Sequence, residues 1–168
     1  MSRVIAIFFG VGLMSPAPGT WASAAAVILG LQIDRYLGFP ALVAATLAAI
    51  IAGFWACRRE LAHRPGADPA AFVIDEVAGQ WLALLFPAAA FWWQGTEDWA
   101  INAYPGWIAA FVFFRLFDIW KPWIIGRADR RHGATGVMLD DLWAGLFAGI
   151  ATILAGAAYH IPLILMSP

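Results

Sequence analysis

Apolar and polar positions along this chain alternate in long blocks rather than residue by residue. Uncharged stretches run over 4–33, 36–57, 77–96, 99–114 and 142–159, and the charges fall in short clusters between them. A membrane-spanning helix needs about 20 mainly apolar residues, or somewhat fewer where flanking side chains snorkel, and most of these blocks meet that length. The first block exceeds it and is interrupted by Ser15-Pro16-Ala17-Pro18-Gly19, which a helix interior does not tolerate easily. The pattern predicts helices over 20–34, 38–57, 75–95, 101–120 and 140–160, preceded by a short piece over 4–14. That piece reads as a re-entrant or interfacial segment. Arg3, the apolar run after it and Ala22-Ser23-Ala24 also fit a signal peptide, but the hydrophobic helix that follows leaves a cleaved signal little purpose. The expected fold class is all-α: a multi-pass membrane helical bundle forming a single domain over 1–168.

Composition sharpens this picture. The chain is 62% hydrophobic and 12% charged, against roughly half apolar and a quarter charged in soluble domains, so one water-soluble domain is excluded. The net charge of −1 conceals a strong unevenness. Arg58, Arg59 and Arg64 lie between the second and third blocks, and Lys121, Arg127, Arg130 and Arg131 between the fourth and fifth. Elsewhere between blocks only Arg35 is basic, while Glu97 and Asp98 are acidic. Cytoplasmic loops carry the Lys/Arg excess, so both basic segments are expected inside. Trp92, Trp93, Trp99, Trp107, Trp120, Trp123 and Trp143 sit near predicted helix ends, as interfacial anchors do. The single Cys57 excludes an internal disulfide and reads as a packing residue.

Three charged groups fall at the expected cytoplasmic edge: Asp75-Glu76, where the third helix begins; Arg115, Asp118 and Lys121, where the fourth ends; and Asp140-Asp141, where the fifth begins. The spacing 115, 118, 121 places these three on one helical face within an arc of about 120°. Asp118 is short, cannot snorkel far, and is costly at such depth unless paired. One acidic residue at a helix start caps free N–H groups and complements the dipole, but two at both starts exceed that need. A hard divalent cation, Mg²⁺, held by carboxylates, water and a substrate phosphate resolves the excess. With Arg and Lys beside it, the expected ligand is a phosphate-bearing lipid. In such a site the metal neutralises the phosphoryl group, the cations hold its spreading charge, and a spare carboxylate serves as base. Ser15, Thr20, Ser23 and Thr135 are candidate hydroxyl partners. Thr20 is foremost, because a Gly-Thr helix start offers a hydroxyl and free N–H groups to phosphate, although an ordinary N-cap explains it as well. His132, in the basic segment, reads as solvated or headgroup-facing, and His63 and His160 receive no role.

At these same residues the chain resembles the phosphatidylglycerophosphatase A family. The matching segments are Gly19-Thr20-Trp21, FVIDEVAGQW at 72–81, FRLFDIWKPW at 114–123 and GVMLDDLWAG at 136–145, in order over nearly the whole chain. Ile124 and Ala22 depart from the family pattern, which usually has Pro and Gly there; neither touches a charged position. The resemblance implies a multi-pass, Mg²⁺-dependent phosphatase of the bacterial inner membrane, active at its cytoplasmic face in phospholipid biosynthesis. It would take the terminal phosphate from phosphatidylglycerophosphate, an anionic phospholipid, to give phosphatidylglycerol. It further implies Asp75, Glu76, Asp118, Asp140 and Asp141 as catalytic and metal positions, Arg115 and Lys121 as phosphate-side cations, and Gly19 and Thr20 as part of the substrate turn. Nucleic acid is not an expected partner. The competing class is an ion-coupled transporter or channel subunit using the same carboxylates as a cation relay, whose charges would lie near mid-bilayer and at both faces.

Overall fold

The computed structural model describes residues 1–63, 71–96 and 98–166, for 102 and 161–166 the backbone alone, so Arg64 and Glu97 lie outside the described residues. Every regular element among them is helical: α1 Ser2–Ala6, a 3₁₀ turn Phe8–Leu13, α2 Pro18–Leu37, α3 Phe39–His63, α4 Ile74–Trp93, α5 Trp99–Asn102, α6 Tyr104–Trp120, α7 Trp123–Asp129 and α8 Ala134–Met166. Two of them, over Phe39–His63 and Ala134–His160, are long and apolar enough to cross a membrane, with mean hydropathies of 2.0 and 1.7.

α4 is the centre. It packs against α2, α3, α6 and α8, and it is buried on nearly every side. Its closest neighbour is α8, and glycines make that approach possible. A Cβ on Gly79 would run into the carbonyl of Asp141 and the ring of Phe114, and one on Gly145 would strike the Gly79 carbonyl. Small residues at a crossing let backbones touch, which is how helices associate where lipid removes the usual hydrophobic drive. The outward faces are apolar: Ile51 of α3 is 71% exposed, Ile119 of α6 72% and Leu154 of α8 64%, with Ile28, Leu47 and Val112 similar. Acidic residues, by contrast, are among the most buried.

The chain ends its helices where backbone chemistry forbids continuation. Gly38 (φ 84°) turns the chain between α2 and α3, a conformation only glycine adopts freely. Gly133 (φ 78°) does the same before α8. The run expected over 101–120 is divided, because Ala103 leaves helical geometry and Pro105 starts α6 afresh. The basic segment after Lys121, read as a loop, carries the short helix α7. The N-terminal piece divides into α1 and the 3₁₀ turn at Phe8, Phe9 and Gly10, all at positive φ. It packs on the C-terminal part of α3, with Ala6 buried, the Ala6 carbonyl accepting from the Val73 N–H at 2.9 Å, and Ser2 Oγ donating to Glu60 at 2.6 Å. Trp99 is corrected from interfacial anchor to packed residue: it is 4% exposed, stacked on Phe91, and donates from Nε1 to Asp34 Oδ2 at 2.5 Å.

Candidate active site

The starts of α2 and α4, the second turn of α8 and the ends of α3 and α6 gather at one end of the bundle. The Gly79–Gly145 crossing sets the register there. Asp75 lies one turn before Gly79 and Asp141 one turn before Gly145, so backbones touching at the glycines bring both carboxylates to one level. Asp75, Glu76 and Asp141 then place one oxygen each within 4.8 Å of one another. Asp75 and Asp141 are 8% and 3% exposed, and one oxygen of Glu76 and one of Asp141 are buried with no hydrogen-bond partner.

Capping does not account for these acids. Asp75 and Glu76 are in the first turn of α4, where Asp75 Oδ1 accepts from the Glu76 N–H at 3.0 Å, but the N-cap is Val73 and no side chain caps this helix start, so the second acid has no capping role. Asp140 and Asp141 do not open a helix, contrary to expectation. α8 begins at Ala134, because Gly133 halts the preceding chain, and the two acids stand about two turns inside, beyond the reach of its free N–H groups.

Asp118 and Arg115 of α6 pair across one helical turn at 2.6 Å, both largely buried. Asp118 also lies within electrostatic range of Glu76 and Asp141. Arg115 is held further by Ser23 of α2, whose hydroxyl accepts from Nη1 at 3.4 Å and donates to the Gly19 carbonyl at 2.8 Å. Gly19 is where α2 touches the acids: a Cβ there would collide with Glu76 Oε1 and come within 3.3 Å of Arg115 Nη1. Thr20 adjoins it inside the first turn of α2. The helix starts at Pro18, so Thr20 is not its N-cap, which is Ala17.

Lys121 does not share the helical face of Arg115 and Asp118. Pro122 cannot continue a helix and disfavours helical geometry before it, and Lys121 leaves α6 in the left-handed conformation (φ 49°, ψ 52°). Its Nζ donates to Asp129 Oδ1 at 2.5 Å and Asp140 Oδ2 at 2.6 Å. Burial lowers the ammonium pKa, but the bonds and charges of Asp129 and Asp140 outweigh it and hold it above the usual lysine value. Lys121 thereby pins α7 and α8 to the end of α6. Asp140 keeps one buried oxygen without a partner.

Five carboxylates thus face two cations, one of which also serves Asp129. At an effective dielectric near 20, two charged carboxylates at such separations repel by about 3 kcal/mol or more. A third positive group, or protons, must hold the cluster together. Clustered buried oxygens without nitrogen or sulfur are the donor set of a hard divalent cation, so these residues fit Mg²⁺. Sequence reasoning missed Gln80, a fully buried amide one turn beyond Glu76, and counted Ser23 only as one hydroxyl among four. The i, i+4 spacing of Glu76 and Gln80 was the available signal.

A family profile for phosphatidylglycerophosphatase A matches residues 4–156. Among curated proteins, the chain is 33% identical over 167 residues to phosphatidylglycerophosphatase A of Escherichia coli, covering 98% of this chain and 88% of that one. It is 33% identical over 149 residues to phosphatidylglycerophosphatase A of Haemophilus influenzae, covering 88% and 84%. It is also 36% identical over 152 residues to a Bacteroides thetaiotaomicron protein named, provisionally, as a phosphatidylinositol-3-phosphatase, covering 88% of each. No solved structure matches the chain.

Proposed function

The chain belongs to the phosphatidylglycerophosphatase A family, and on that premise we propose that it is a Mg²⁺-dependent lipid phosphatase converting phosphatidylglycerophosphate to phosphatidylglycerol and phosphate. The observation that carries this reading is the Asp75–Glu76–Asp141 cluster, with unpartnered carboxylate oxygens beside a fixed guanidinium. We place the protein as a multi-pass bundle in the bacterial inner membrane with this end toward the cytoplasm. The apolar outward faces and the exposed Arg127, Arg130 and Arg131 near the site support that placement.

Asp75, Glu76 and Asp141 would hold the Mg²⁺, with Asp118 and Asp140 at its flanks. When bound, the metal supplies countercharge to the phosphoryl group and acidifies an attacking water. Arg115, oriented by Asp118 and Ser23, presents its planar fork to the phosphate oxygens and stabilises the charge that spreads over them in the transition state. Gly19 and Thr20 stand at the start of α2 beside the site, where the bare glycine lets Glu76 and Arg115 come up against the backbone. Lys121 offsets the charge of Asp140 and braces α7 at the rim where the anionic headgroup enters. A carboxylate beside the metal ligands, Asp118 or Asp140, takes the proton from water.

The test is phosphate release by purified protein in detergent. Phosphatidylglycerophosphate should be hydrolysed, EDTA should abolish the reaction and added Mg²⁺ should restore it. Folded protein that releases no phosphate under those conditions would refute the reading. Phosphatidic acid and a phosphoinositide belong in the same panel, since one relative carries a phosphoinositide name.

A further inference from the structure

Gln80 is wholly buried in α4, and neither atom of its carboxamide has a hydrogen-bond partner. Each unmet group of this kind costs about 1–3 kcal/mol, so an apolar residue would serve the apo fold better. The neighbours of α4 fix its direction. Glu76 meets Gly19 of α2 and approaches Arg115 of α6, Leu84 meets Gly30 of α2, and Pro87 meets Gly106 of α6. At about 100° per residue, Gln80 falls inside this stripe, about 40° from Glu76 and one turn deeper. On α2 the matching level is Ser23, one turn beyond Gly19 and bonded to Arg115 Nη1. Arg115 Nε is buried and unpartnered as well. The deep wall of the site therefore presents two free donors, Gln80 Nε2 and Arg115 Nε, and one free acceptor, Gln80 Oε1.

That set discriminates among ligands. A phosphate oxygen satisfies the donors but leaves Oε1 against negative charge. A metal ion satisfies Oε1 and repels Nε2. A hydroxyl satisfies both amide atoms, accepting from Nε2 and donating to Oε1 in a cyclic pair. We propose that Gln80 receives a hydroxyl group in the enzyme–substrate complex, an inference that rests on the phosphatase reading above. The hydroxyl is supplied either by the glycerol that carries the scissile phosphate or by the attacking water.

The experiment uses the full-length protein in detergent with Mg²⁺ and two lipids: phosphatidylglycerophosphate, and its analogue lacking the glycerol hydroxyl. Gln80→Met, which keeps length and removes both hydrogen-bonding atoms, is compared with wild type, with Gln80→Leu as a second variant. The expected result is an unchanged or higher melting temperature together with a loss of kcat/KM of about 10- to 100-fold. If the glycerol supplies the group, the loss is confined to the hydroxyl-bearing lipid and the preference for it disappears. If water supplies it, kcat falls equally on both lipids. Wild-type kcat/KM on both lipids in either variant overturns the inference, and so does a lowered melting temperature in both variants, which would assign Gln80 to holding the fold. Inactive wild type on both lipids overturns the phosphatase reading instead.

Discussion

The two ends of this bundle carry the same residue types and use them differently. At the far end, Arg35 pairs with Asp98 at 3.1 Å, their side chains 38% and 50% exposed, and Asp34 accepts from Trp99. A cavity of about 350 Å³ opens there, lined by Asp34, Arg35, Trp92 and Trp99, so its charged groups already have protein partners. At the near end, acids outnumber cations, Asp75, Asp140 and Asp141 are each less than a tenth exposed, and several oxygens have no partner. Paired, wet charge stabilises a surface at small gain. Crowded, dry, incompletely paired charge costs free energy in the apo protein, and protons or a bound ligand must complete it. The difference separates topology from chemistry without reference to any relative.

The comparison breaks most directly at Asp141. Its neutral isostere removes one charge from the cluster while conserving volume, so Asp141→Asn should leave the melting temperature unchanged or raise it. Turnover should fall by about 10²-fold or more, the scale expected when one fixed electrostatic partner of a transition state is lost. Phosphate release and a thermal melt on the same preparation decide this. A variant of normal rate would remove Asp141 from the site.

How much of this could be read from the residues alone depends on range. The helical stretches and the gathering of acids at one edge follow from local hydrophobicity and charge, and the first turn of α4 follows from the same signals. The start of α8 does not, because 134–139 is mildly apolar and only the positive φ of Gly133 marks the boundary. Periodicity places Lys121 on the helix face because it ignores what Pro122 does to the residue before it. The i, i+4 spacing puts Gln80 near the face of Glu76 but does not reveal its burial, and the Gly79–Gly145 crossing is a pairing between helices that no one-dimensional period contains. Glycine in FVIDEVAGQW and in GVMLDDLWAG reads as a helix weakness by propensity, yet here it is what sets the depth of two carboxylates.

That crossing sharpens the comparison at intermediate strength. Gly79→Ala forces a methyl against the Asp141 carbonyl, so α4 and α8 must separate by some tenths of an ångström. The expected loss of stability is about 1–3 kcal/mol, the usual range for overpacking a close contact. Separation also loosens Asp75 from Asp141, so the Mg²⁺ concentration for half-maximal activity should rise about 10-fold, as when the support of a metal ligand is disturbed. A Mg²⁺ titration of phosphate release distinguishes the two consequences. A stability loss with an unmoved Mg²⁺ midpoint would mean the crossing does not set ligand spacing.

The smallest effect is expected at the far end. Arg35→Ala and Asp98→Asn each break an exposed ion pair, and such pairs contribute about 0–1 kcal/mol in water. Both variants should retain turnover within about 2-fold, because this end reaches the carboxylate cluster only through the lengths of α2, α4 and α6, and changes to two exposed side chains leave the packing among those helices untouched. Asp98→Asn is the stricter of the two, since it removes charge while preserving shape. If it lowered turnover 10-fold with the melting temperature unmoved, charge at one end would be coupled to chemistry at the other. The carboxylates would then behave as parts of a path through the bundle, as a cation relay requires, rather than as a centre closed at one end.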